Sequence, residues 1–422
     1  MSEQDTASSA PHAHRFDLTS AVSKRDPHPT WRAMRAAGPV IRAKVPFLGS
    51  AWMTTTHAST LAMVKDNGLF VQESRHAGKT GVAGMSWWMP RALGLMADNM
   101  LMKDEPDHRR LRKLVDRAFQ RRDILAMRAG IEAVTDGILD DLDGSETVDL
   151  SEQFSRRLPM AVICELLGLP HPDRYLFSKW ARAAMSVKGP VSLYLATAGL
   201  ERMVAYLRRE IEACRLEPRT GLITELVRAE EDGDQLSEDE LVSMVFLLLL
   251  AGFETTTHLI TGGIIALEQN PEQKAYLLES PQDRIERAVE ELARFVSPIQ
   301  STKPRYIARD SEFFGQSLKR GDIIIALIGA ANADPAQFDH PEALRLDRFP
   351  NQHLVFSSGI HFCLGMQLAR VEAQCALGRL YARFPNIQIP PMEQLAWIER
   401  LGLRGVKSLP VRLGASSRRM AA

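Results

Sequence analysis

The chain has 422 residues, 45% of them hydrophobic, and its 52 basic residues balance 52 acidic ones. That balance argues against a nucleic-acid or membrane-surface partner. Four cysteines (Cys164, Cys214, Cys363, Cys375) without paired spacing do not form a recognisable disulfide framework.

The N-terminal MSEQDTASSAPHAHRF is polar and lacks the apolar core of a signal peptide, so a cytoplasmic protein is expected. Residues 1–15 and 415–422 read as flexible tails. The length suits two or three domains. However, no Gly/Ser/Pro-rich linker separates the periodic segments, so residues 16–414 are expected to form one domain around something buried. A strand-like run covers 39–55. Helical periodicity follows over 106–122, 124–143, 151–167 and 190–214. The segment 241–267, LVSMVFLLLLAGFETTTHLITGGIIAL, is long and apolar enough for a membrane span. Glu254, His258 and three consecutive threonines interrupt it, and a charge there is costly in lipid. Ser237 and Glu240 have the S-x-x-E form of a capping box, so 237–268 reads as a long helix buried in a globular core. Another helix is expected at 281–296, then strands at 303–314 and 321–328, with Gly315 and Gly321 bracketing a hairpin. A last helix, 363–383, precedes a strand at 408–413. The chain is mainly α with a minor β portion.

The chemistry concentrates in FSSGIHFCLG (356–365), which sets Cys363 at the start of that last helix. A buried thiol is a small hydrophobe. At a helix N-terminus, in contrast, the dipole and free N–H groups favour a thiolate, as nucleophile or metal ligand. His361 lies two residues upstream, but no third group orients a Cys–His nucleophile. Zinc would want more Cys or His neighbours. A haem iron needs a single thiolate.

FSSGIHFCLG resembles the haem-binding signature of the cytochrome P450 superfamily of haem-thiolate monooxygenases. The resemblance extends over about residues 25–413, with the motifs in the family's order. DEPDHRRLRKLVDRAF (104–119) is similar to its third major helix, and AGFETT (251–256) to its oxygen-activation motif. Glu291 and Arg294 match the E-x-x-R pair, and Arg348 the arginine that completes the triad; all three are expected to be structural. ANADPAQFDHP (331–341) and HLVFSSG (353–359) fit the connecting segment, although Ser357 stands where many members carry glycine.

The resemblance implies a cytochrome P450 fold: a helix-rich haem domain with a smaller β-rich portion and a long central helix over the haem. It implies haem b, with Cys363 as the iron ligand, Gly365 near the sulfur and Phe356 on the thiolate side. His108, Arg112, Arg305 and His361 are its expected propionate partners. Ala251 and Gly252 would leave room over the iron, and Glu254 and Thr255 form the acid–alcohol pair for proton delivery. Expected substrate-pocket residues are Met85, Trp87, Trp88, Met89, Leu247, Leu248, Phe253, Ile299, Gln300 and Leu403. The implied activity inserts one oxygen atom from O2 into a lipophilic small molecule. NAD(P)H would supply electrons through a ferredoxin or flavodoxin and its reductase, steered by Arg109, Arg110, Lys113, Arg117 and Arg370. A haem sensor or carrier, a peroxide-driven peroxygenase and a haem-free cysteine hydrolase remain alternatives; the first two have no need of Glu254 and Thr255.

Overall fold

The computed structural model describes residues 14–46, 48–79, 94–95, 98–120, 124–142, 147–170, 180, 190–231 and 234–416. Seven of its helices bear on the site: α1 (Asp107–Gln120), α2 (Arg128–Leu142), α3 (Arg157–Leu167), α4 (Pro190–Leu216), α5 (Glu238–Gln269), α6 (Pro281–Val296) and α7 (Met366–Arg383). The long helix α5 starts at the expected capping box: Ser237 Oγ accepts the Glu240 amide, and the Glu240 carboxylate accepts the Ser237 amide. It is apolar on nearly every side because α3, α4, α6 and α7 surround it. This is the segment long and apolar enough to cross a membrane, and in the fold it is the core helix.

Three of its four threonines have a local acceptor for the hydroxyl, which suits them to a packed helix. Thr255, Thr257 and Thr261 donate to the carbonyls of Ala251, Phe253 and Thr257, at 2.7, 2.8 and 2.8 Å.

The β portion centres on a five-stranded sheet built from β1 (Val40–Val45), β2 (Gly49–Thr54), β3 (Phe70–Val71), β4 (Arg305–Ile307) and β5 (Ile323–Ala326). Their order is β1–β2–β5–β4–β3, and only the β2–β5 pair is parallel. Alternation buries both faces: Ile41, Met53 and Ile325 pack on one side, Val40, Trp52 and Ile324 on the other.

Several boundaries differ from the sequence reading. The 39–55 run is a hairpin of two antiparallel strands rather than one strand. The 303–314 run divides into β4 and Ser311–Phe313, which pairs with Gln316–Leu318 across Gly315 at φ 75°. The 321–328 run ends as a strand at Ala326 and turns into the helix Ile328–Asn332. Helices such as His28–Ala37 and His57–Lys65 are short and were not expected from periodicity; the second starts at a Thr56–Ser59 capping box. The helix expected from 363 begins only at Met366, because Gly365 is its N-cap. Of the tail residues, His14 already bridges to Ala43 and Ser416 is buried.

Candidate active site

One cavity of about 1300 Å³, part of it open to solvent, has the Cys363 loop and α5 among its walls. The loop reaches its shape through two left-handed residues. Gly359 has φ 71°, and a Cβ there would meet the Val64 carbonyl oxygen at 2.6 Å, so glycine is required. Ser357 has φ 60°, which costs a non-glycine residue about 1–2 kcal/mol. Glycine's greater unfolded freedom offsets about 0.5–1 kcal/mol of any gain. Ser357→Gly is therefore expected to stabilise the fold by roughly 0.5 kcal/mol in denaturant titration, and a loss of stability would refute strain at this residue.

Within the loop, the Cys363 amide donates to the Phe356 carbonyl at 2.9 Å, and Arg112 Nη1 donates to the Phe362 carbonyl at 2.9 Å. Burial is the largest influence on the Cys363 thiol and pushes it up, against the Gly365 backbone N–H and the positive charges of Arg112 and Arg370. The helix terminus alone thus does not secure a thiolate, because Cys363 lies ahead of the first turn; coordination to a metal would deprotonate it outright. The other three cysteines are buried and absent from this cavity.

Across the cavity, Ala251, Gly252 and Thr255 face the space from α5. Gly252 permits a close approach, since an added Cβ would lie 3.3 Å from Ile163 Cδ1 on α3. Glu254 does not line the cavity. Its carboxylate is 2.7 Å from Arg400 Nη2.

Unpartnered nitrogens gather around His361: His108 and His361 line the cavity, and Arg305, outside that lining, lies close enough for its charge to lower His361. Arg305 is 2% exposed, and its Nε and Nη1 have no hydrogen-bond partner. The same holds for His108 Nε2 and His361 Nδ1, whose rings meet edge to face at 4.5 Å. Burial, more than any other influence, lowers Arg305 to about 10 and His361 to about 3, and lowers His108 as well. Buried unpaired donors are costly and call for an anionic partner. Arg112 differs: it lines the cavity, but Asp116 and the Phe362 carbonyl already engage it.

The family model for Cytochrome P450 matches residues 200–401. The polyketide biosynthesis cytochrome P450 PksS of Bacillus subtilis (strain 168) is 38% identical, over 86% of this chain and 89% of its own. The vitamin D(3) 25-hydroxylase of Pseudonocardia autotrophica is 36% identical, over 96% of this chain and 98% of its own. The chain belongs to the cytochrome P450 family. The structure of the myxobacterial P450 CYP267B1 in complex with myristic acid superposes with a TM-score of 0.86 at 36% identity, covering 94% of this chain and 98% of that one.

Cytochromes P450 are monooxygenases that bind haem, and this P450 has residues that fit it. The two propionates match the orphaned donors of Arg305, His108 and His361, and an apolar macrocycle matches the lining.

Of the expected pocket residues, Leu247, Leu248 and Ile299 line the cavity. Gln300, Leu403 and Phe253 do not. Gln300 turns away to accept Lys24 Nζ at 2.8 Å, Leu403 bridges to Ile299 from behind, and Phe253 is buried under Arg156. Met85, Trp87, Trp88 and Met89 lie outside the described residues.

The sequence reading missed Glu372. It lines the cavity from α7, its Oε2 has no partner, and complete burial raises its carboxyl to about 8. In sequence it is one glutamate among good helix formers, and nothing there marks its face of α7 as the buried one.

The basic surface expected to steer a redox partner is also different. Arg109 pairs with Glu105 at 2.6 Å, Arg110 reaches Asp234 and Glu240, and Glu290 holds Arg370 through two bonds of 2.6 Å. Lys113 and Arg117 have partners as well. Arg109, Arg110 and Arg370 are thus paired within the protein, by acidic side chains just before α1 and α5 and on α5 and α6.

Proposed function

We propose that this P450 inserts one atom of O2 into a lipophilic small molecule, by hydroxylation or epoxidation, and that Cys363 is its iron ligand. The observation that carries the reading is one cavity shared by Cys363, by Ala251, Gly252 and Thr255, and by His108 and His361 with their orphaned nitrogens. When bound, haem supplies the activation of dioxygen. The protein's own residues do the rest. Arg305, His108 and His361 hold the propionates, while Gly365 N–H donates to the sulfur and moderates its electron donation. Leu247, Leu248 and Ile299 exclude water and hold an apolar substrate. Thr255 presents a hydroxyl as proton donor, and Glu254 relays protons to it once free of Arg400.

The relatives named for polyketide biosynthesis and for vitamin D(3), and the one solved in complex with myristic acid, are consistent with a large apolar substrate. Electrons are assigned to NAD(P)H through a separate ferredoxin or flavodoxin and its reductase, and the location to the cytoplasm. A sensor, carrier or peroxygenase is disfavoured because the Glu254–Thr255 pair is present.

The carbon-monoxide complex of the reduced protein tests the ligand. It is expected to show the strongly red-shifted Soret band of thiolate-ligated haem, and Cys363→His is expected to abolish that band. An unchanged band in Cys363→His would remove Cys363 as ligand.

A further inference from the structure

Arg370, on α7 seven residues beyond Cys363, lies where a solvent-facing docking cation was expected. Instead its Nε and Nη2 each donate at 2.6 Å to the two carboxylate oxygens of Glu290, a bidentate pair. The two side chains are only 29% and 25% exposed. The guanidinium lies 4.9 Å from the centre of the Phe356 ring. Phe356 in turn lines the cavity and accepts the Cys363 amide, so the pair is one ring removed from the sulfur. His353 completes the cluster: its Nε2 is 3.3 Å from Glu290 and its ring 5.8 Å from that of Phe356.

We propose that Glu290 and Arg370 are a positioning pair that sets the electron density at the Cys363 sulfur, and with it the reduction potential of the haem. This rests on Cys363 being the iron ligand. Arg370 places a fixed positive charge one ring removed from the thiolate and draws electron density from it. Glu290 opposes that charge and fixes its position over the Phe356 ring. Charge and hydrogen bonding around a ligating sulfur are among the means by which a protein tunes iron. Burial would raise the Glu290 carboxyl, yet His353 and Arg370 pull it down to about 2, so it stays ionised. Glu290 is also separate from the network of its neighbour Glu291, which engages Arg294 and Arg348 instead.

The measurement is a potentiometric titration of the haem-loaded protein, in which one electron converts ferric to ferrous haem while the sulfur stays a thiolate. Glu290→Gln leaves Arg370 unopposed and is expected to favour the reduced form. Arg370→Gln leaves Glu290 unopposed and is expected to favour the oxidised form. At a fixed applied potential the reduced-to-oxidised ratio should change several-fold in opposite directions. Arg370→Lys keeps the charge and should stay near the parent value. A merely structural pair would loosen the loop in both variants and shift them in the same direction; that result, or no shift, overturns the proposal. The carbon-monoxide Soret band of the unmodified protein tests the ligand separately, so failure of the ligand assignment is distinguishable from failure of the tuning pair.

Discussion

Replacing Glu291 with alanine is expected to cost about 3–5 kcal/mol of folding stability, the cost of breaking a buried ion pair from one side. Glu291 is fully buried, and its two oxygens accept Arg294 at 2.7 and 2.7 Å and Arg348 at 3.1 and 3.0 Å. Asn351 Nδ2 and the Arg345 amide complete its shell at 3.0 and 3.1 Å. Alanine would leave two guanidinium groups, 2% and 6% exposed, with no counter-charge. Their remaining donors hold carbonyls of the segment that leads to the Cys363 loop, among them Asn332, Pro341 and Asp339. Loss of stability should therefore come with poor haem retention. Glu291→Gln keeps the shape and loses only the charge, so its cost should be smaller. Denaturant titration of both variants decides it: a change below about 0.5 kcal/mol for Glu291→Ala, the ordinary size of a surface substitution, would mean that the network does not hold the fold.

The same cluster marks what is legible in sequence. Glu291 and Arg294 stand one helical turn apart, so local spacing pairs them, and the resemblance supplied Arg348. The start of α5 was legible because Ser237 and Glu240 act within one turn. Cys363 stood out because a flexible glycine-bearing segment and a helix flank it. What escaped depends on distance along the chain. Glu254 reaches Arg400, Arg370 reaches Glu290, and Arg110 reaches Asp234 and Glu240 only after the helices pack. No spacing rule couples such residues, so isolated basic residues of α1 and α7 read as a free docking face. Gln300 and Leu403 were placed near the substrate by their order in the chain. Backbone alternation after Ile299 turns Gln300 toward Lys24 instead.

Thr255→Ala is expected to keep NAD(P)H consumption, lose most of the product and release hydrogen peroxide in its place. The residue lines the cavity, and its hydroxyl donates to the Ala251 carbonyl at 2.7 Å. That bond engages the hydroxyl's single proton, so donation into the cavity requires the hydroxyl to turn from the Ala251 carbonyl. Removing the hydroxyl deprives the cavity of a positioned donor without disturbing Cys363, Arg305 or His361, so haem binding and reduction should be unchanged. Positioned proton donors contribute on the order of 10²–10⁴-fold in rate, and the ratio of product to NAD(P)H consumed should fall at least about tenfold. Thr255→Val keeps the shape and loses the hydroxyl, so it should behave like alanine if the proton matters and like the parent if only packing does. Glu254→Gln should differ from both by slowing turnover itself, because the carboxylate now held by Arg400 would no longer carry protons from solvent. Measuring product, hydrogen peroxide and NAD(P)H together separates these outcomes. Unchanged coupling in both Thr255 variants would leave the hydroxyl with no role beyond its bond to Ala251.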